Sequence, residues 1–289
     1  MANFGSSAPA AFRRAFFVLL AAACALRGAP PANPSSGLAQ IGKPDAAESR
    51  RILEQFRNAG IAGDYYLEIE LHQLPRSGDE RVFPAKLWGS RNAHGSIVRI
   101  ALTDGSGRER RLLVQNGAQP AAWTFRDGKI MQPSSAALLE PLVPGVELTA
   151  FDLEMPFLAW PDVECTAIVR VFGRPAYAFF FHPPAALRGQ PDAVRAYFDT
   201  QFNAPTQTEL LDAQGHVTKT LSLVELKRVE AQSLPKILEV RNEATRDKTR
   251  FVITAAALGL DFAPGTFDPA ALADPLQPPA ANRLVRLVP

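Results

Sequence analysis

Cysteine is scarce in this sequence, and histidine is hardly more frequent. The 289 residues include 2 cysteines, Cys24 and Cys165, so a domain that follows Cys24 holds a single thiol and cannot form an internal disulfide. Cys165 lies on the apolar side of an alternating run, where we expect a small buried hydrophobic residue. The four histidines are His72, His94, His182 and His216. None stands at metal-ligand spacing from another histidine, a cysteine or a paired carboxylate, so the sequence predicts no metal site and no cofactor.

The short motifs of catalysis and phosphate binding are also missing. The sequence has no G-x-S-x-G elbow, no S-x-x-K and no G-x-x-x-x-G-K loop. Asp152 and Glu154 are two acids in a predicted loop, at a spacing too common to indicate an acid–base pair. A hydrolase would need a cleft that brings His72, His94 or His182 beside a carboxylate or a serine. We therefore expect no enzymatic activity.

Charge of one sign is not concentrated anywhere. The net charge is +2 and the basic residues are scattered, with no run that could follow a phosphate backbone. This pattern excludes a nucleic-acid-binding protein. Apolar residues make up 47% and charged residues 21%, a composition that can form a packed core.

Long hydrophobic runs are absent as well. The apolar run Ala15 to Ala25 has about eleven residues, well short of the roughly 20 that span a bilayer as a helix. It follows Arg13 and Arg14 and ends in small residues, which is typical of a signal peptide over residues 1–25. We expect export to the periplasm of a Gram-negative cell.

Two features of this signal leave alternatives open. The arginine pair before Ala15-Phe16-Phe17 is compatible with twin-arginine export or with ordinary Sec export. Cys24 follows Ala21-Ala22-Ala23, which resembles a lipobox, so Cys24 is either lipidated or removed. The protein is then periplasmic or a periplasm-facing membrane lipoprotein, with Cys24 as its one link to a membrane.

Composition divides the rest of the chain into three parts. Residues 26–44 are rich in Pro, Ala, Ser and Gly and read as a flexible linker. Residues 45–270 form a single β-rich domain, and residues 271–289 a Pro/Ala-rich tail whose Arg283 to Arg286 patch has no assigned place. The domain opens with an amphipathic helix over 46–59, with Ile52, Leu53 and Phe56 on one stripe.

A strongly alternating strand follows the helix. Over residues 65–72 every odd position is apolar, which indicates an antiparallel strand with one wet face. Short turns such as Asp104-Gly105, Asp127-Gly128 and Gln214-Gly215 separate the later strands, so sequence neighbours should pair in a meander. Those strands are predicted at 82–90, 96–103, 108–115, 121–126, 163–172, 175–182, 194–202, 206–212, 217–229, 234–243 and 248–257.

One interruption and one irregularity break this meander. Between about 132 and 162 the chain is apolar without strand alternation, with a short helix from Ser134 or Ser135 to Leu139, and predicts an irregular or helical cover over one face of the sheet. In the strand 217–229 the apolar parity switches between Ser222 and Val224, which indicates a β-bulge.

Aromatic residues are in surplus between 151 and 202. The run Ala176 to Phe181 is apolar on both faces, as in a strand covered on both sides. An ordinary core accounts for this surplus. A curved sheet and its cover enclosing an apolar cavity for an acyl chain is the functional alternative.

The order of elements and several short strings resemble the LolA-like superfamily of lipoprotein-sorting proteins. The matching strings are Glu209 to Leu221 (ELLDAQGHVTKTL), Leu234-Pro235-Lys236 with Arg241-Asn242-Glu243, Lys248 to Ile253, and Met155 to Trp160 followed by Gly173 to Tyr177. The resemblance covers roughly residues 45–270. It implies a curved, incomplete barrel plugged by helices, an apolar hollow for lipid or lipoprotein acyl chains, and no reaction.

The sequence thus predicts an α+β, mainly antiparallel half-barrel with an N-terminal helix and a helical or irregular cover. Its predicted function is a monomeric periplasmic carrier that sequesters acyl chains in outer-membrane lipoprotein sorting. The alternative is a non-carrier cell-envelope module that binds a protein or senses mislocalised lipoproteins. The candidate cavity-lining residues are Tyr65, Leu67, Ile69, Leu71, Val98, Ile100, Leu102, Trp123, Phe125, Phe151, Phe157 and Trp160.

Overall fold

The computed structural model describes residues 37–117, 119–187, 191–201 and 205–287. The predicted signal peptide, Cys24 and much of the predicted linker lie outside these residues. Among the described residues, no helix has the length and apolar character needed to cross a membrane.

One large antiparallel sheet makes up most of the described chain. Its strands are β1 Gln40–Gly42, β2 Asp64–Leu74, β3 Arg81–Asn92, β4 Gly95–Thr103, β5 Glu109–Gln115, β6 Ala121–Arg126, β7 Lys129–Met131, β8 Asp162–Val171, β9 Arg174–His182, β10 Ala193–Asp199, β11 Pro205–Leu211, β12 Val217–Val229, β13 Gln232–Asn242, β14 Lys248–Leu260 and β15 Val285–Arg286. The α-helices are α1 Ala46–Arg57, α2 Ser135–Leu138 and α3 Ala150–Glu154. Short 3-10 helices occupy Pro156–Ala159, Ala185–Leu187, Pro269–Ala273 and Ala281–Arg283.

The strand order divides the sheet into two wings, one made of β1 and β8 to β14 and the other of β2 to β7. The order is β1-β8-β9-β10-β11-β12-β13-β14-β2-β3-β4-β5-β6-β7, with β15 beside β14. Strands β1 and β7 stand at opposite ends of this path, so the sheet of described strands is an open, curved half-barrel. This architecture confirms the predicted fold class.

The crossover between the two wings, residues 132–161, corresponds to the cover predicted between about 132 and 162. Because β7 ends one wing and β8 lies near the end of the other, the chain between them must traverse the sheet. It does so as α2, α3 and the 3-10 helix Pro156–Ala159. The proline at position 156 starts the 3-10 helix, where a missing N–H costs nothing.

Two local predictions are confirmed. In β2 the odd positions Tyr65, Leu67, Ile69 and Leu71 are all buried, as the period-two pattern required. In β12 the register shifts between Leu223 and Glu225 and again before Leu226, at the predicted bulge. The bulge increases the local twist of the strand, which helps the sheet to curl.

The chain beyond each end of the predicted domain also joins the sheet. Gln40–Gly42, in the predicted linker, pairs with β8 as an edge strand. Within the predicted tail, β15 pairs with β14 and the side chain of Leu287 is buried. Residues Pro269–Ala273 pack against β5, β6 and β7 and bury Leu272 completely. The Arg283 to Arg286 patch thus lies beside β14.

Candidate functional site

The concave face of the sheet carries two apolar clusters. Cluster 1 lies on β2 to β5 and β13 to β14, and cluster 2 lies on β8 to β11. Both clusters extend into the cover, since Leu148 and Ala150 belong to cluster 1 and Phe151 and Phe157 to cluster 2. The cover therefore closes the concave face along both wings.

Most of the candidate cavity-lining residues meet on this face. Cluster 1 contains Tyr65, Leu67, Ile69, Leu71, Ile100 and Leu102, with Val98 packed against it. Cluster 2 contains Phe151, Phe157 and Trp160, which pack against sheet residues such as Phe179 and Phe181. Helix α1 closes the same cluster, and the Phe56 ring stacks on Phe198 with centroids 3.8 Å apart.

Trp123 and Phe125 do not join them, and this placement corrects the prediction. In the β5–β6 ladder Trp123 is opposite Leu113, which faces away from cluster 1, whereas Ala122 is opposite Val114 and faces into it. Trp123 and Phe125 pack instead on the convex face with Leu113 and Leu272. Their shared parity placed them correctly on one face, but that face is covered by the C-terminal segment.

The concave face is filled by the protein's own side chains. The candidate residues Ile69, Phe157 and Trp160 are only 2%, 2% and 4% exposed. A cavity of about 20 Å³ remains between the cover and the sheet, lined by Phe151, Phe157, Leu210 and Leu221 among others. In this structure an acyl chain could therefore enter only if the cover moved.

Polar contacts at a few points hold the cover to the sheet. Lys219 of β12 forms a buried ion pair with Asp152 of α3 at 2.8 Å. Asp152 also closes a capping box, in which it accepts from the Thr149 backbone N–H and Thr149 accepts from the Asp152 N–H. At the other end of α3, the Asn116 side-chain amide donates to the carbonyls of Leu153 and Glu154 at 2.8 and 2.7 Å.

These anchoring residues were missed as functional residues by the sequence analysis. In the sequence Asp152 stands out only as one of two neighbouring acids, with Glu154. The Thr149-x-x-Asp152 spacing is a capping-box signal that could have identified the start of α3. The partner of Asp152 could not be inferred, because Lys219 lies 67 residues further along the chain.

Glu154, the other of these two acids, is buried with one carboxyl oxygen unpaired among the described residues. Its side chain is 4% exposed, and Oε2 has no hydrogen-bond partner in the described part of the chain. Burial raises the pKa of the Glu154 carboxyl to about 7. The residue that follows, Met155, adopts a left-handed backbone with φ 46°, which costs free energy for a residue with a side chain.

The structure also shows the surroundings of the histidine and cysteine side chains that catalysis or metal binding would use. His72 contacts Glu70 at 3.0 Å through Nε2 and Glu80 through Nδ1, so both ring nitrogens face carboxylates and neither is directed at a hydroxyl. Cys165 is buried, and burial raises the pKa of its thiol to about 11, unlike a reactive thiol. Among the described residues no three His, Cys, Asp or Glu side chains are grouped to hold a metal ion.

No protein-family model matches the sequence, and no curated protein matches it. Solved structures do match the fold. A domain from Vibrio parahaemolyticus that carries the name of an outer membrane lipoprotein-sorting protein aligns over 79% of this chain and 100% of its own, with a TM-score of 0.68 and 15% identity. A DUF1329 family protein from Desulfovibrio piger aligns over 78% of this chain and 98% of its own, with a TM-score of 0.65 and 11% identity.

A third solved structure carries the superfamily name itself. A LolA superfamily protein from Nitrosomonas europaea aligns over 75% of this chain and 96% of its own, with a TM-score of 0.58 and 13% identity. Sequence identities this low establish a shared fold and leave function to be argued from the site. Together with the open antiparallel sheet and its helical cover, these matches show that the chain has a LolA-like fold.

Proposed function

We propose that the protein binds the acyl chains of lipids or lipoproteins on the concave face of its sheet. It would act in the periplasm as a non-enzymatic, monomeric carrier in outer-membrane lipoprotein sorting. Release and capture would depend on movement of the cover, because the cover's side chains fill the space that a chain would occupy. Burial of an acyl chain contributes about 0.8 kcal/mol per CH₂, so a carrier of this kind needs no catalytic group.

The observation that carries this proposal is the way the cover is attached. In the described chain the cover has one β-bridge, between Pro141 and Thr149, and both residues lie in the cover itself. It pairs with no strand of the sheet. Lifting it would expose both apolar clusters and would break the Lys219–Asp152 and Asn116 contacts, but no sheet ladder.

Purified protein should therefore carry or accept lipid. Native mass spectrometry and lipid extraction test for bound lipid, and a titration with a fluorescent fatty acid tests for binding. A covalent lock tests the role of the cover: Asp152→Cys with Lys219→Cys, in a chain also carrying Cys24→Ser and Cys165→Ala, can be bridged by a short bismaleimide. The bridge should weaken fatty-acid binding, because it holds the cover on the concave face.

A matched lock controls for the chemistry. Glu243 and Arg246 form an ion pair at 2.8 Å in the β13–β14 hairpin, and the side-chain partners of Glu243 are the sheet residues Thr220 and Arg241 and the hairpin residue Arg246. Bridging Glu243→Cys to Arg246→Cys in the same background should leave fatty-acid binding intact. Lipid-free protein that binds no fatty acid, locked or unlocked, would contradict the carrier proposal.

A second candidate function rests on the filled concave face. A non-carrier envelope module would need no hollow, and here Phe151, Phe157 and Trp160 occupy that space. Such a module would use its surface to bind an envelope protein. It gains support if the purified protein is free of lipid and the unlocked chain does not bind fatty acids.

The site of action depends on the N-terminus. Lipidation at Cys24 would tether the protein to a membrane, whereas removal of residues 1–25 would leave it in the periplasm. Membrane fractionation of cells that express the Cys24→Ser chain separates these cases. A shift from the membrane to the periplasmic fraction supports lipidation, and an unchanged periplasmic location supports removal.

A further inference from the structure

A groove of about 650 Å³ opens between helix α1 and strand β8, at the wing of the sheet that carries cluster 2. This volume lies within the range of about 300 to 1,000 Å³ that is usual for small-molecule sites. The groove is lined by Lys43, Pro44, Ala46, Ser49, Arg50, Leu53, Glu54, Arg57, Pro161, Val163, Glu164, Cys165 and Phe179.

The floor of the groove belongs to the concave core. Leu53, Cys165 and Phe179 are buried members of cluster 2, the cluster that the cover residues Phe151 and Phe157 fill from the other side. An apolar chain lying in the groove would therefore reach the edge of the same cluster, and movement of the cover would let the chain pass on to the concave face. The groove is an access route to the proposed acyl-chain site.

The rim of the groove carries an excess of positive charge. Lys43 pairs with Glu164 at 3.0 Å, and Arg57 pairs with Glu54 at 2.8 Å. Arg50 is exposed and forms no ion pair within the described part of the chain. Two acids thus face three cations, and the uncompensated cation stands above an apolar floor.

Arg57 links this rim to the cover. Its Nε donates to the Leu158 carbonyl at 2.6 Å, so one cation contacts both Glu54 and the 3-10 helix of the cover. An anion that drew Arg57 away from Leu158 would loosen one attachment of the cover.

We propose that this groove binds a single-chain amphiphile with an anionic head, a free fatty acid being the simplest example. The tail would lie on Leu53, Val163 and Phe179, and the carboxylate would contact Arg50, with Lys43 and Arg57 beside it. The inference rests on the proposed function, because it assigns the head-group chemistry and the access route of the same apolar site.

Another groove of comparable size fits this ligand less well. It has a volume of about 530 Å³ and lies beside β13 and β14, and its charged lining residues are Glu70, Glu80, Glu225, Lys236, Arg250 and Arg286. Acids and bases are balanced there. Glu70 and Val252, which line this groove, occupy β2 and β14 positions that alternate with the cluster 1 residues Ile69 and Ile253, so these two side chains face away from cluster 1.

Two ligands with the same tail test the proposal. Palmitate carries an anionic head, and monopalmitin a neutral one. We expect the full-length protein to bind palmitate more tightly than monopalmitin. Arg50→Glu should weaken palmitate binding about tenfold and leave monopalmitin binding unchanged, as expected for loss of a charge-assisted contact. Arg51→Glu is the matched control, since it alters the same helix by the same charge, and Arg51 does not line the groove.

The outcomes separate this inference from the proposed function. If neither ligand binds, the proposed function fails. If both bind and Arg50→Glu leaves the ratio of their affinities unchanged, the head-group site is wrong while the acyl-chain site stands.

A thiol placed in the groove provides an independent readout of where the tail lies. Ser49 lines the groove and is partly exposed, so Ser49→Cys in a chain with Cys24→Ser and Cys165→Ala gives one accessible thiol. Palmitate should slow the reaction of this thiol with N-ethylmaleimide, and Arg50→Glu should shift this protection to higher palmitate concentrations. Palmitate that binds at saturation without protecting the thiol would place the tail outside the groove.

Discussion

At the scale of single residues, the ion pair between Lys219 and Asp152 is a buried contact that holds the cover to the sheet. The side chains are 14% and 4% exposed, so both charges are largely removed from water. Loss of one partner from such a pair leaves an uncompensated buried charge, which typically costs 3–5 kcal/mol. Here Thr149 continues to donate to Asp152, so the loss should be smaller.

We predict that Lys219→Met lowers the free energy of unfolding by about 2–3 kcal/mol. Urea denaturation followed by tryptophan fluorescence and circular dichroism would measure it. Lys43→Met serves as the control, because the Lys43–Glu164 pair is about half exposed and such pairs contribute at most about 1 kcal/mol. Equal effects of the two variants would show that the Lys219 pair is no stronger than a surface pair.

For Glu154 we predict the opposite effect, a substitution that stabilises the protein. Burial raises the pKa of its carboxyl from 4.5 to about 7, so between these two pH values the folded state holds a proton that the unfolded state releases. The folded state is therefore destabilised as pH rises from 4.5 to 7, and the full penalty applies above pH 7.

Glu154→Gln should remove this penalty while keeping the shape of the side chain. The variant should unfold with a higher free energy than the natural chain at pH 8 and with nearly the same free energy at pH 5. Chemical denaturation at the two pH values measures the difference. Glu140→Gln alters an exposed acid of the same cover and should change neither value. Natural and Glu154→Gln chains with parallel pH profiles would contradict the assignment.

At the scale of elements, the cover should open more readily than the sheet. Its helices have five residues or fewer, whereas β2 and β14 are 11 and 13 residues long and hydrogen-bonded on both sides. Segments with few backbone contacts open locally at lower free energy than the core. Hydrogen exchange should therefore be faster for the amides of α3 than for those of β2.

Asn116→Ala should increase that difference. It removes both hydrogen bonds to the Leu153 and Glu154 carbonyls, each of which contributes about 1 kcal/mol. We expect exchange in residues 150–159 to accelerate about tenfold, with no change in β2. Asn58→Ala removes a comparable amide that bonds within α1, and should leave the cover unaffected. Uniform acceleration across the sheet would instead indicate global destabilisation.

The sequence could predict elements better than it could predict their environment. Alternation in β2 and the parity switch in β12 are local consequences of the two-residue strand period, and both were predicted correctly. Trp123 and Phe125 share a face for the same reason. Which side of the sheet that face meets depends on Leu272, which lies nearly 150 positions later, and no local pattern contains that information.

At the scale of the whole molecule, distant parts of the chain complete the sheet. Strand β2 pairs with β14, so the ends of the predicted domain form its centre, and the cover exists because the chain must cross from β7 to β8. These pairings join residues more than 170 positions apart, as in Phe251 with Leu71. No local pattern predicts pairings over such distances. The half-barrel was predicted from the resemblance to a known family, whereas strand patterns alone predicted only a meander.

The C-terminal segment shows the same dependence on distant contacts and gives a test of where the domain ends. Arg99 of β4 is 2% exposed, and its guanidinium donates to the carbonyls of Thr266, Leu272 and Asp274. Leu272 is completely buried beside Leu113 and Trp123 on the convex face. The C-terminal segment thus supplies the hydrogen-bond acceptors of a buried guanidinium and a fully buried apolar side chain, as a part of the domain does.

We predict that Leu272→Ala lowers the free energy of unfolding by about 2–4 kcal/mol, because it leaves a cavity at a fully buried site. Urea denaturation followed by circular dichroism would measure it. Leu226→Ala, at a site that is 36% exposed, should change stability by less than about 1 kcal/mol. A fully folded Leu272→Ala chain of unchanged stability would mean that residues 261–287 only rest on the sheet. The predicted loss would make them part of the domain, because the outer face of β4 to β6 would depend on them as the inner face depends on the cover.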